Sequence, residues 1–325
     1  MTDRDRRRVA AWLFVCAALA FAVVLVGGVT RLTRSGLSIT EWQPLIGALP
    51  PLSQADWEAR FAAYRATPEF RLVNFDMTLE GFKTIFWWEY IHRLLARTIG
   101  LVFLLPLLWF QLRGKLDRAL SLRLWGIFLL GAAQGALGWF MVQSGLVDDP
   151  KVSPLRLTAH LGLALAIFSA ELWLAMQLIS PRTIARGRWR IPALILLMAL
   201  SGGMVAGLRA GYAYNTFPLM NGHVVPPEVM LLEPWWRNFI YNMATVQLVH
   251  RTLFWLLAVL VPLAWWRGRH TLAANVLLAA FVLQASLGIT TLLLGVPVGF
   301  GSAHQGGAVV LLAAALWHAH AGQGR

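Results

Sequence analysis

The sequence predicts an all-α integral membrane protein with eight transmembrane helices, built as two similar four-helix bundles related by a parallel internal repeat. Composition, the spacing of apolar stretches and the recurrence of short motifs each point there. Of 325 residues, 58% are hydrophobic and 13% charged, and the mean hydropathy is +0.61. A soluble chain carries roughly twice that charge. A helix needs about 20 apolar residues to cross the hydrocarbon, and eight stretches qualify: Val9–Gly28, Trp87–Leu112, Leu122–Gln143, Leu155–Ile179, Ile191–Leu208, Met243–Trp266, Leu272–Leu294 and Ser302–His320. Backbone groups in lipid must be satisfied within the segment, so these read as helices.

The net charge of +13 is a topology signal. With eight spans, Arg4–Arg8, Arg113–Arg123, Arg182–Arg190, Arg267–Arg269 and Arg325 fall on one side. They hold 15 of the 28 Lys and Arg against the acids Asp3, Asp5 and Asp117. That asymmetry puts both termini in the cytoplasm or on the equivalent inner side, and it speaks against nucleic acid as a partner; a bacterial inner membrane is the expected location. The single cysteine, Cys16, excludes an intramolecular disulfide. The first apolar run is long enough to remain as a span rather than a cleaved signal.

The largest connection, residues 29–86, lies on the outer side. Ser53 and Asp56 have capping-box spacing, Trp57, Phe61 and Tyr64 follow on one helical face, and Pro68 lies beyond the expected end, which predicts an amphipathic surface helix. Trp87, Trp88 and Tyr90 read as an interfacial aromatic belt.

The repeat pairs Ile91-His92-Arg93 with Val249-His250-Arg251, Ala133-Gln134-Gly135-Ala136-Leu137-Gly138 with Leu283-Gln284-Ala285-Ser286-Leu287-Gly288, and Ala159-His160 with Ala303-His304. It also pairs Gly27-Gly28 with Gly202-Gly203, Arg34-Ser35-Gly36 with Arg209-Ala210-Gly211, and Pro44, Gly47 and Pro50-Pro51 with Pro218, Gly222 and Pro226-Pro227. An even number of helices per half sets both halves in the same orientation. The halves are residues 1–180 and 181–325.

Of eight histidines, His223, His270, His318 and His320 read as solvated or interfacial. His92, His160, His250 and His304 stand one per helix on the second, fourth, sixth and eighth spans, within roughly two turns of the outer end at about 1.5 Å per residue. Intramembrane ionisable groups are costly and usually functional. One alone could be a helix–helix hydrogen bond; four in matched positions suit two haem-type sites, because haem iron takes axial histidines whereas a bare metal wants further ligands. Arg34, Arg93, Arg209 and Arg251 stand where they can pair with propionates or snorkel to the interface. Gly27, Gly28, Gly131, Gly135, Gly138, Gly202, Gly203, Gly306 and Gly307 allow close approach of a macrocycle or of another helix.

The repeat breaks at Glu89, three residues before His92, where Gln247 precedes His250. Glutamate exchanges protons and glutamine does not, so chemistry is expected in the first half and electron storage in the second. The plainer reading is that Glu89 only pairs with Arg93. Glu171, deep in the fourth helix, has no matched partner.

Gly27-Gly28-Val29-Thr30-Arg31-Leu32-Thr33-Arg34-Ser35-Gly36-Leu37-Ser38, Glu41-Trp42-Gln43-Pro44 and Glu89-Tyr90-Ile91-His92-Arg93, with the histidines above, closely resemble the haem A synthase family over nearly all eight helices. The resemblance implies oxidation of the C8 methyl of haem O to a formyl group. By position it makes His92 and His160 ligands of the substrate haem iron, Glu89 the essential carboxylate, and His250 and His304 ligands of a haem b cofactor. Some members carry a cysteine pair in an outer loop, which this chain lacks. Expected partners are the haem O substrate, membrane lipid, a haem O synthase, an electron donor and a second copy of the chain. Two rivals are a dihaem cytochrome b that only relays electrons, which would not need Glu89, and a transporter, which would place its polar groups at the midplane.

Overall fold

The computed structural model describes residues 1–43, 46–183 and 186–321; Pro44 and Arg325 lie outside the described residues. Among the described residues the chain is all helix, apart from one isolated bridge between Met220 and His223. In order, the helices are α1 (Asp3–Leu32), α2 (Gln54–Arg65), α3 (Pro68–Leu72), α4 (Leu79–Leu112), α5 (Arg118–Gln143), α6 (Pro154–Ile179), α7 (Arg190–Gly207), α8 (Ala210–Ala213), α9 (Asn238–Tyr241), α10 (Met243–Gly268), α11 (Leu272–Leu293) and α12 (Val298–Ala321). Eight of these, α1, α4, α5, α6, α7, α10, α11 and α12, are long and apolar enough to cross a membrane.

Two helices outrun their apolar stretches. α4 begins at Leu79, capped by the Thr78 hydroxyl, which accepts from Gly81 N, and α1 begins at Asp3, capped by Thr2, which accepts from Asp5 N. A good N-cap satisfies the free amides of the first turn in water, so each helix continues into the aqueous layer. Pro106 and Pro262 sit inside α4 and α10, and both helices run on past them.

Helices α1, α6, α7 and α12 form the centre, with α1 against α4, α6 and α12 and α7 against α6, α10 and α12. One core cluster joins Val24, Leu165, Ile195, Leu257, Leu277 and Leu312; a second joins Leu13, Leu107, Leu124 and Ala175. Glu171 is buried between them at 1% exposure.

The start of α1 and the end of α12 lie at one end, the terminal face. Lys115 bonds Asp5 at 2.6 Å, and Arg182 donates to the Ala321 carbonyl at 2.8 Å, so the basic segments of the N-terminus and of the α4–α5 and α6–α7 connections gather there. His320, expected at the surface, is 5% exposed with Trp173 edge-on at 5.5 Å, because α12 ends packed against its neighbours.

The opposite, loop face carries residues 33–43 and 46–78. The expected surface helix is α2, with the complete Ser53–Asp56 capping box. Its apolar face does not lie on lipid alone: Trp57, Phe61 and Tyr64 pack on Phe82, Phe86 and Tyr90 of the α4 extension. Burial pushes the Tyr64 hydroxyl up to about 12. Pro68 opens a further short helix, α3. Trp87 and Trp88 are exposed as a belt requires, but Tyr90 is 7% exposed and donates to the Ala48 carbonyl at 2.7 Å.

Candidate functional site

Each of the four matched histidines leans on a glycine of the preceding spanning helix. A methyl group on Gly27 of α1 would stand 2.8 Å from His92 Cε1, and on Gly138 of α5 2.8 Å from His160 Cε1. On Gly202 of α7 it would stand 3.3 Å from His250 Cε1, and on Gly288 of α11 2.7 Å from His304 Cε1. The glycine hydrogen lets the ring approach the backbone of that helix, where ordinary carbon contacts lie near 3.5–4.0 Å. The ring is then directed at the carbonyl four residues earlier: His92 at Val23 and His304 at Gln284, neither closing a full hydrogen bond. In the α7–α10 pair the turn is bridged. Ser201 donates to the Met198 carbonyl at 2.7 Å and meets His250 Nδ1 at 2.8 Å. With its own proton committed, the serine oxygen accepts from Nδ1–H.

Of the two tautomers, the one with its proton on Nδ1 satisfies both of these contacts. A proton on Nδ1 leaves the Nε2 lone pair as the ligand, the arrangement that orients metal-bound histidines. In His92, His160 and His304 the sealed nitrogen without a partner is Nδ1, and Nε2 is the nitrogen left open on each ring. His92 lies within electrostatic reach of His160, and His250 of His304. Among the described residues no three His, Cys, Asp or Glu side chains cluster as a metal site. Two imidazoles without a third ligand fit an iron whose other ligands come from a macrocycle. Sequence reasoning gave no role to Gln134 and Gln284, although both lie in the repeated motif. Gln134 donates to the His160 carbonyl and Gln284 to the His304 carbonyl, each at 2.9 Å.

The expected glycines divide. Gly28 packs on Gln305, Gly203 on Thr158, Gly306 on Leu25 and Gly307 on Gln284, as close helix packing requires. A methyl group on Gly131 or Gly135 would meet nothing within 4 Å, so tight helix packing does not explain those two.

Glu89 is 2% exposed and carries four hydrogen bonds. Oε2 accepts from Ser38 Oγ and Ile39 N, each at 2.7 Å. Oε1 accepts from Arg93 Nε at 3.0 Å and Nη2 at 2.5 Å. Arg93 also donates to the Ile39 and Glu41 carbonyls. The matching clamp keeps the arginine donating to loop carbonyls and reverses polarity only where Gln247 stands for Glu89. Gln247 donates to the Tyr214 carbonyl at 2.8 Å, and Arg251 donates to the carbonyls of Tyr214, Thr216, Pro218 and Leu219. Where the strap presents an N–H and a hydroxyl, the helix supplies a carboxylate; where it presents carbonyls, an amide. Ser38 was invisible to sequence reasoning because its partner lies 51 positions away.

Arg34 and Arg209 are both left-handed, at φ 54 and 55, and both are exposed at the loop face. Glu69 of α3, 4% exposed, lies within electrostatic reach of both. Burial pushes its carboxyl above the usual range, and the charges of Arg34 and Arg209 pull it back. Arg31, which donates to the Ala206 carbonyl, joins them at the junction of α1 and α7. Arg93 and Arg251 are thus committed to loop carbonyls, while among the described residues neither Arg34 nor Arg209 has a hydrogen-bonded ion pair.

Fold and site define a class: helical proteins with eight helices able to span a membrane and four histidines, each set on a glycine of the preceding spanning helix. The sequence profile of the family described as Cytochrome oxidase assembly protein matches residues 10–316. The chain is 55% identical to Heme A synthase of Nitrosospira multiformis, over 97% of this chain and 93% of that protein. It is 52% identical to Heme A synthase of Nitrosomonas eutropha, over 95% and 92%, and 47% identical to that of Parvibaculum lavamentivorans, over 98% and 95%. The chain belongs to the haem A synthase family.

Proposed function

We propose that this protein is the haem A synthase of a bacterial inner membrane, oxidising the C8 methyl of haem O to a formyl group. In this reading residues 1–180 form the catalytic half, with His92 and His160 on the substrate iron, and residues 181–325 hold a haem b between His250 and His304. The carrying observation is the fourfold arrangement of an imidazole on a glycine of the preceding spanning helix, with Nδ1 sealed from solvent in three of the rings and on the Ser201 hydroxyl in the fourth. Bound haem supplies redox-active iron; the chain supplies position and charge.

The four imidazoles set the two ring planes. Glycine contacts stop each ring at a fixed depth, and the Gln134 and Gln284 bonds tie the histidine backbone to the neighbouring helix. Glu89 places a carboxylate beside the first site and holds the Ser38–Ile39 strap over it. Of the two roles open to it, proton exchange and stabilisation of developing positive charge, the four donors favour the second, because a group already aligned by its hydrogen bonds needs no reorganisation when charge develops. Arg34 and Arg209, unclamped at the loop face, are the two arginines best placed for propionates, and Arg93 and Arg251 act through the straps they hold. A haem O synthase delivering substrate laterally through lipid and a donor feeding electrons to the second half complete the reading. Both termini face the cytoplasm, and both sites lie towards the outer leaflet.

The test is pigment analysis by mass of the purified protein. Wild type retains haem b when no haem O is made; His250→Ala and His304→Ala lose it while the helical content stays unchanged. Wild-type haem b in both variants would overturn the second-half assignment. A wild-type protein that binds haem O without ever yielding haem A would favour an electron relay.

A further inference from the structure

The residue just before each histidine-bearing glycine is Val26 in α1, Leu137 in α5, Leu287 in α11 and Ser201 in α7. Three are apolar and the fourth carries a hydroxyl. The rings differ accordingly. A methyl group on Gly202 would stand 3.3 Å from His250 Cε1, against 2.7 or 2.8 Å at the other three glycines. The Nδ1 atoms of His92, His160 and His304 are buried without a partner. His250 Nδ1 has one, the Ser201 hydroxyl at 2.8 Å.

The serine is itself held. It donates to the Met198 carbonyl at 2.7 Å, three residues back in its own helix. Helical serines commonly bond back in this way; here the bond commits the serine proton and leaves its oxygen as the acceptor for His250. Two hydrogen bonds then run in series, from Nδ1–H to Oγ and from Oγ–H to the carbonyl, and each polarises the other. Met198 is the register partner of Val23, the carbonyl at which His92 is directed without closing a bond. His250 is directed at Met198 in the same manner, and the serine oxygen supplies the bond that the first half lacks.

An acceptor on Nδ1–H raises the basicity of an imidazole as a ligand through its other nitrogen. A more basic ligand favours ferric over ferrous iron, and hydrogen bonding behind an axial ligand is one of the means by which a protein sets a haem potential. Arg251 stands one residue from His250, and its positive charge acts in the opposite direction, towards the reduced iron.

We propose that Ser201 is a positioning residue that, through His250, lowers the reduction potential of the haem iron bound in the second half. The inference rests on the second half holding a haem between His250 and His304. Val26, at the matching place in the first half, has no side-chain acceptor, so two ligands of the same kind are set differently in the two halves.

The experiment is a potentiometric titration of the purified full-length protein with its resident haem, followed at the Soret band, with haem content measured in parallel. Ser201→Ala and Ser201→Val, the second copying the first half, raise the midpoint by about 59 mV, the one-electron equivalent of a tenfold loss of preference for oxidised iron. Ser201→Thr keeps a hydroxyl and returns the midpoint towards wild type. Ser169→Ala removes a hydroxyl that likewise donates to its own helix, at the Leu165 carbonyl 2.7 Å away, and leaves the midpoint unchanged. A midpoint at or below the wild-type value in the haem-loaded Ala and Val variants overturns the proposal. Loss of the haem from both also overturns it, because Ser201 would then seat the ligand rather than set a potential. Failure of the underlying reading looks different: either wild type retains no haem, or His250→Ala keeps full haem content with an unchanged midpoint, and the proposal falls with it.

Discussion

Replacing Gly288 with alanine should empty the second-half site while leaving the bundle folded. The new methyl would stand 2.7 Å from His304 Cε1. To reach ordinary contact near 3.5 Å the ring must retreat by about 0.8 Å, more than the roughly 0.5 Å within which a binding constellation tolerates displacement. His304 cannot retreat freely, because Gln284 holds its carbonyl at 2.9 Å and α12 packs along α11. Overpacking of this kind costs about 1–3 kcal/mol, which corresponds to roughly a 5- to 150-fold loss of haem affinity at about 1.4 kcal/mol per factor of ten. Alanine meanwhile favours the helix by up to about 1 kcal/mol over glycine, so helix content should hold. The assay is the haem-to-protein ratio of the purified variant by pyridine haemochrome, beside its circular dichroism. Gly126→Ala, where nothing lies within 4 Å of the new methyl, is the control and should keep full haem. A Gly288→Ala protein with wild-type haem content and an unaltered Soret band would refute the packing argument.

Glu89→Gln should fold and keep the second-half haem but accumulate unoxidised haem O. Each carboxylate oxygen accepts two bonds, so either amide orientation sets an NH₂ against donors, at about 1–3 kcal/mol; a normal haem A yield by mass analysis of extracted pigment would contradict this. Glu69 binds its proton more tightly folded than unfolded, because its carboxyl is raised by burial. Stability of the α3 region should therefore fall as pH rises from the ordinary carboxylate range through the raised value. Glu69→Gln should flatten that slope in hydrogen exchange of residues 68–74, and an identical pH dependence in the variant would count against it. Finally, an impermeant thiol reagent on intact cells should label Leu49→Cys at the loop face and spare Arg113→Cys at the terminal face. The reverse pattern would invert the topology and move both sites to the cytoplasmic side.

Spans, end-to-end polarity and the four histidines were legible in the sequence because each is a one-dimensional signal. Twenty or so apolar residues in a row, arginines collected in alternate connections, and a His-Arg pair repeated near two helix starts need no knowledge of neighbours. The Ser53–Asp56 cap of α2 was legible for the same reason, since its partners are three residues apart. The burial of Tyr90 and His320 was not, because each is decided by what packs from another helix. Nor was the setting of Glu89. The sequence showed a carboxylate where the repeat has an amide, and only the tertiary structure brought Ser38 and Ile39, 51 and 50 positions away, to its oxygens. The glycines make the same point: Gly131, Gly135 and Gly138 look alike along the chain, yet only Gly138 meets a histidine ring. Apolar length and charge along the chain determine how often it crosses the membrane and which ends gather together, because partition into lipid is set segment by segment. Which carbonyl a ring faces, and which oxygen a strap covers, depend on contacts between segments distant in sequence, and only the packed bundle decides them.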